Sequence, residues 1–147
     1  MKLLLSTIML ALLAGCGSSP ANTQDAPVAS VSGKAVANTV TSGIVFLKDS
    51  ANHEISTPTA VDGSFYLNTT GMQKPYLMKA VFSNNSTLYS IVNDNGVVTI
   101  DNTTNWIANL AATGLRLAEV YLFIRGELLI LLANIAGSIA DSLNTKP

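Results

Sequence analysis

The chain is 147 residues long, with eight Lys and Arg against nine Asp and Glu, and is 12% charged and 48% hydrophobic. A near-neutral, apolar chain of that size is built to fold as one compact domain rather than to stay solvated and disordered. No block of Lys and Arg is present to meet phosphates, which excludes nucleic acid as a partner. A single Cys and a single His exclude a Cys/His zinc centre, a disulfide framework and a Cys–His nucleophile pair with residues to spare. No residue cluster implies a cofactor.

Residues 1–15 have the form of a targeting segment: Lys2 supplies a positive start, and Leu3 to Leu13 form an apolar run broken only by Ser6 and Thr7. The run is shorter than the roughly 20 apolar residues that span a bilayer. Leu13-Ala14-Gly15-Cys16 follows directly and resembles the lipobox of bacterial lipoprotein signal peptides. In that family the chain is cut before the Cys, its thiol receives a diacylglycerol and the new amino terminus is acylated, so the resemblance implies lipidation at Cys16. Two or three acyl chains give the anchorage that one chain cannot, each buried methylene contributing about 0.8 kcal/mol. Gly17 rather than Asp follows the Cys, which by resemblance to Gram-negative lipoproteins points to the outer membrane.

Residues 17–30 are Gly, Ser, Pro, Asn, Thr, Gln and Asp, with only Ala and Val as apolar members. Such a composition cannot offset the entropy of ordering, so 16–30 is expected to be the lipidated Cys and a flexible tether. Its reach is roughly 45–50 Å at full extension.

From residue 31 to 100 the pattern becomes short β-rich runs at intervals near ten residues, which predicts an all-β sandwich. The predicted strands are 31–36, 43–48, 54–60, 64–67, 76–82, 87–92 and 97–100. Asp62-Gly63 and Asn95-Gly96 are expected to make tight hairpins, because Asn, Asp and Gly tolerate positive φ. The run 76–82 is polar on one face only at Lys79, which predicts a central strand.

The order Val31-Ser32-Gly33, then 43–49, then Asp62-Gly63-Ser64-Phe65, then Tyr76-Leu77 and Leu88-Tyr89-Ser90, resembles the carboxypeptidase regulatory-like domain family. The resemblance implies a seven-stranded, transthyretin-like β-sandwich with Phe65 packed inward. It also implies a non-catalytic scaffold or recognition module with no active-site residues to carry over. The chain departs from that pattern at 37–42, which leaves the start of the second strand open.

After Ile100, the residues Asp101, Asn102, Thr103 and Thr104 offer side-chain acceptors for a helix N-cap, and 106–143 contains no Pro. The segment 101–147 is therefore expected to form one long helix or two shorter ones, with Gly114 or Gly126 marking the break and Gly114 preferred. Trp106 is expected to anchor the helix start against the sandwich.

Residues 115–132 are apolar around most of a helix, and three explanations stand. A membrane span carries the cost of Arg116, Glu119, Arg125 and Glu127. A buried helix would pack on the sandwich and on a second copy of itself or another envelope protein, with Arg116 and Glu119 paired across a dimer. An interfacial helix would lie on the lipid to which Cys16 ties the chain.

His53 reads as a solvated loop imidazole. Asn93-Asp94-Asn95-Gly96 lacks the Glu that completes a calcium loop and reads as a hairpin turn. Ser64, Ser86 and Ser90 have no Gly-x-Ser-x-Gly elbow around them. Tyr66, Tyr76 and Tyr89 read as packing at the core edge. Together these observations describe a membrane-anchored module with a β-sandwich and a hydrophobic C-terminal segment, without catalysis.

Overall fold

The computed structural model describes residues 28–144. The targeting segment, Cys16 and most of the tether lie outside the described residues. Among the described residues there are seven strands: β1 (Ser30–Ala35), β2 (Gly43–Asp49), β3 (Glu54–Pro58), β4 (Ser64–Asn68), β5 (Tyr76–Phe82), β6 (Thr87–Val92) and β7 (Gly96–Ile100). They form a three-stranded sheet in the order β4-β1-β7 and a four-stranded sheet in the order β3-β2-β5-β6. The result is sandwich-like, and β5 lies centrally between β2 and β6.

Alternation along the strands sets which side chains meet between the sheets. Val31, Val45, Leu47, Phe65, Leu67, Met78, Phe82, Val92 and Ile100 are buried in one cluster. Each such side chain contributes about 1.5–3 kcal/mol relative to exposure. The opposite face of β2, β5 and β6 presents Phe46, Leu77, Tyr89 and Ile91, which join a second apolar cluster with the C-terminal helices. The molecule is thus layered as sheet, sheet and helices.

Two glycines are demanded by close approach. Gly33 pairs with Phe65 of β4 and with Val98 of β7, and a Cβ there would collide with the Val98 carbonyl oxygen. Gly126 begins the last helix, and its would-be Cβ lies 2.9 Å from the Ser50 carbonyl oxygen.

Neither expected hairpin joins neighbouring strands of one sheet. Gly63 has φ +83° and its N–H bonds to the Ala60 carbonyl, so the turn is tight, but β3 and β4 belong to different sheets. Asn95-Gly96 likewise carries the chain from β6 in one sheet to β7 in the other, where β7 pairs parallel with β1. Both pairs make corners of the sandwich. A local turn signal reports reversal of the chain and not which sheet the next strand joins.

The C-terminal segment breaks twice, into three helices rather than one or two: α1 (Asn102–Ala112), α2 (Leu117–Leu122) and α3 (Gly126–Asn144). A capping box starts α1: the Thr104 N–H donates to Asp101 Oδ1 at 2.9 Å, and the Asp101 N–H donates to Thr104 Oγ1 at 2.9 Å. Gly114, with φ +80°, follows its C-cap Thr113. The second break precedes Gly126.

The helices α1 and α3 pack on each other and on β6, and α1 turns Ala108, Ala111 and Ala112 inward. Trp106 is 52% exposed, which corrects its expected role as an anchor. Small side chains let α1 approach closely, and they leave the large ring on the outer side.

Candidate functional site

Cys16, the one predicted site residue, lies outside the described residues. The described residues gather their polar chemistry in three places. The first joins the four-stranded sheet to the helical layer, and the other two sit at strand ends.

The first lies under α2. Lys48 and Lys79 stand on β2 and β5. The Lys48 ammonium donates to the Tyr121 carbonyl oxygen at 2.7 Å and lies 4.9 Å from the Tyr121 ring centroid. Lys79 Nζ sits 4.3 Å from that ring and 4.8 Å from the Phe46 ring, held between two aromatic faces. The Tyr121 hydroxyl donates to Glu54 Oε2 at 2.6 Å. Burial, joined by the neighbouring Glu54, pushes the Tyr121 hydroxyl well above its ordinary pKa. The cluster pins a two-turn helix to the sheet and satisfies the one polar position on that face of β5.

The second is the end of β2. The Asp49 side chain is wholly buried, yet its carboxylate is fully engaged. Oδ1 accepts from the Ala51 N–H at 2.9 Å and the His53 N–H at 2.8 Å, and Oδ2 accepts from the Gln73 N–H at 2.9 Å. His53 Nδ1 lies 3.1 Å from Oδ2, with its ring mostly in solvent. Burial alone would raise the Asp49 pKa, but the hydrogen bonds from Gln73, His53 and Ala51 outweigh it and hold the carboxyl below its usual range. His53 is thus a solvated imidazole that also leans on a buried carboxylate. Asp49 was the residue sequence reasoning missed, since a strand-terminal Asp followed by Ser-Ala-Asn looks like an ordinary polar loop.

The third is the β6–β7 corner. Asn95 Oδ1 accepts from Thr69 Oγ1 at 2.6 Å and from the Tyr76 hydroxyl at 3.0 Å. Asp94 pairs with Lys74 at 2.7 Å. Asn95 and Asp94 therefore tie the corner to Thr69, just past β4, and to Lys74 and Tyr76 at the start of β5. Among the described residues no group of three or more His, Cys, Asp or Glu is placed to hold a metal ion.

The candidate serines are not brought to His53. Ser64 Oγ donates to Asp62 and Ser86 Oγ to Asn84, while Ser90 is buried on β6. The three tyrosines also separate: Tyr76 is buried, Tyr89 is half-buried under the helices and Tyr66 is exposed on the other sheet.

Arg116 and Glu119, expected to pair across a dimer, meet within one chain at 3.9 Å, both exposed. The long helix is α3, not 115–132, and it is long and apolar enough to cross a membrane by length and composition. It buries Leu129, Leu132, Ala133 and Ala136. Its exposed residues include Glu127, Asn134, Ser138 and Asp141, which line one face with Leu131 at spacings of three and four, and also the apolar Ile130, Ile135 and Leu143. The helix packs one face on the sandwich and turns a mixed face outward, a polar strip bordered by apolar side chains.

No protein-family model matches the chain, and a search of curated proteins finds no match.

Proposed function

We propose that the chain is a bacterial envelope lipoprotein, acylated at Cys16 and held at the outer membrane, whose sandwich is a non-catalytic binding or structural module. The observation that carries this reading is the run Leu13-Ala14-Gly15-Cys16 behind a positive, apolar leader and ahead of a Gly/Ser/Pro-rich stretch. That order of segments serves one purpose: export, acylation and a tether. The two-sheet fold supports a transthyretin-like module of the carboxypeptidase regulatory-like kind. The polar clusters support a scaffold, because each is consumed by intramolecular hydrogen bonds.

A second reading rests on one observation, the capacity of α3 to cross a bilayer by length and composition. In it the chain is membrane-integrated or membrane-active, and α3 inserts. Asn134 and Ser138 near its middle weigh against it, since polar groups in lipid need partners, while Glu127 and Asp141 stand near its two ends.

Fractionation of wild type beside Cys16→Ala, each with a C-terminal tag and washed with carbonate and high salt, separates the two. The lipoprotein reading expects the variant to leave the membrane. Retention in the washed membrane would replace it with the integrated one.

A further inference from the structure

The strand β7 closes one end of the three-stranded sheet, and its outer edge has no partner strand among the described residues. Its hydrogen-bonding direction follows from one contact. The Val36 N–H donates to the Ile100 carbonyl at 2.9 Å, so Ile100 points its backbone groups at β1. By alternation Val98 does the same, while Val97 and Thr99 turn their N–H and C=O groups outward.

Natural edges are guarded by charge, Pro or a cover, and the other edges here show it. β3 carries Glu54 and Pro58. On β6 the Tyr89 N–H donates to Asn105 Oδ1 of α1 at 2.9 Å. β4 starts beside the Lys34–Asp62 pair, and its last residue, Asn68, folds its side chain onto the Thr70 N–H. β7 reads Gly-Val-Val-Thr-Ile, with four β-branched residues, no charge and no Pro. Val97 is 86% exposed.

We propose that this edge is an interface with a second copy of the chain, the two β7 strands pairing antiparallel about Val98. The segment is self-complementary in that register. Val97 of each copy faces Thr99 of the other, and their four outward N–H and four outward C=O groups are all used reciprocally. No like charges oppose one another, because the strand has none. On the exposed face, Val97 lies in a row with Ser32 and Tyr66, and Thr99 in a row with Lys34 and Ser64. Pairing would cover Val97 with the second copy's Thr99 and the stem of its Lys34. The product is a continuous six-stranded sheet with two-fold symmetry.

Sedimentation velocity of the full chain in mild detergent over a concentration series tests this, with Val97→Thr and Val97→Lys beside wild type. Hydrogen exchange at the Val97 and Thr99 amides gives the register. Val97 is exposed, so neither variant threatens the fold. A reversible dimer is expected for wild type and Val97→Thr, with Val97→Lys raising its dissociation constant about tenfold or more, as edge lysines do. Slow exchange at both amides should appear only in the dimer. A wild-type monomer at every concentration overturns the proposal. So does a dimer indifferent to Val97→Lys, or one in which these amides exchange freely.

Discussion

The Tyr121 hydroxyl and the Glu54 carboxylate, 67 residues apart in sequence, meet at 2.6 Å. That contact joins α2 to the first residue of the edge strand β3. With the Lys48 and Lys79 ammonium groups at the Tyr121 ring, it makes one aromatic side chain the fastening between the helical layer and the outer face of the sandwich.

Tyr121→Phe keeps the ring and loses the hydroxyl. It should cost about 1.5–3 kcal/mol of unfolding free energy at pH 7, the range for hydrogen bonds to a charged partner. Tyr121→Ala, which also empties the site, should cost about 3–5 kcal/mol. Denaturant unfolding of both variants checks the order.

Burial, and then Glu54, raise the Tyr121 pKa in the folded state. A raised pKa means that the contribution is fully present below the unfolded value, near 10, and is lost as pH climbs above it. Wild type should therefore lose stability above about pH 10 more steeply than Tyr121→Phe. Thermal melts from pH 8 to 11 measure the difference.

Asp49 acts at the other end of the scale. Its carboxyl is held below the usual range by hydrogen bonds from Gln73, His53 and Ala51, which outweigh its burial. The stabilisation is present above the unfolded value, near 3.9, and is lost as pH falls through the folded one. Asp49→Asn should cost about 1.5–3 kcal/mol at pH 7, and the gap to wild type should close on acidification below about pH 4. Acid titration of unfolding for the pair is the check.

Gly33→Ala should be among the most damaging single substitutions in the sandwich. The added Cβ meets the Val98 carbonyl oxygen, so β1 and β7 cannot keep their register. A loss above about 4 kcal/mol, or failure to fold, is expected. Gly71→Ala, where no atom lies within 4 Å of the would-be Cβ, should cost only about 1–2 kcal/mol from its positive φ. Circular dichroism and denaturant unfolding distinguish the two.

Much of this fold is legible in the residues, and the misses have physical causes. All seven strands follow from β-branched runs and turn residues, and alternation alone sorts Phe65 and Leu67 inward from Tyr66. The capping residues at 101–104 mark the start of α1. Gly114 and Gly126, expected as alternative breaks, each mark one, and what the residues do not show is that Gly126 admits the Ser50 carbonyl, a contact between distant segments. Trp106 misleads because apolar size predicts burial, whereas close layer packing selected Ala108, Ala111 and Ala112. The Asp49 knot is invisible for the same reason as Gly126, since one of its donors comes from Gln73, 24 residues on. Cys16 is read from its neighbours alone.

Acylation of Cys16 is tested by mass spectrometry of the N-terminal peptide from protein purified out of bacterial membranes. The expected product is a chain that begins at Cys16 and carries the mass of a diacylglycerol with or without a further acyl group. An unmodified Cys16, or a chain that begins at any other residue, would contradict it.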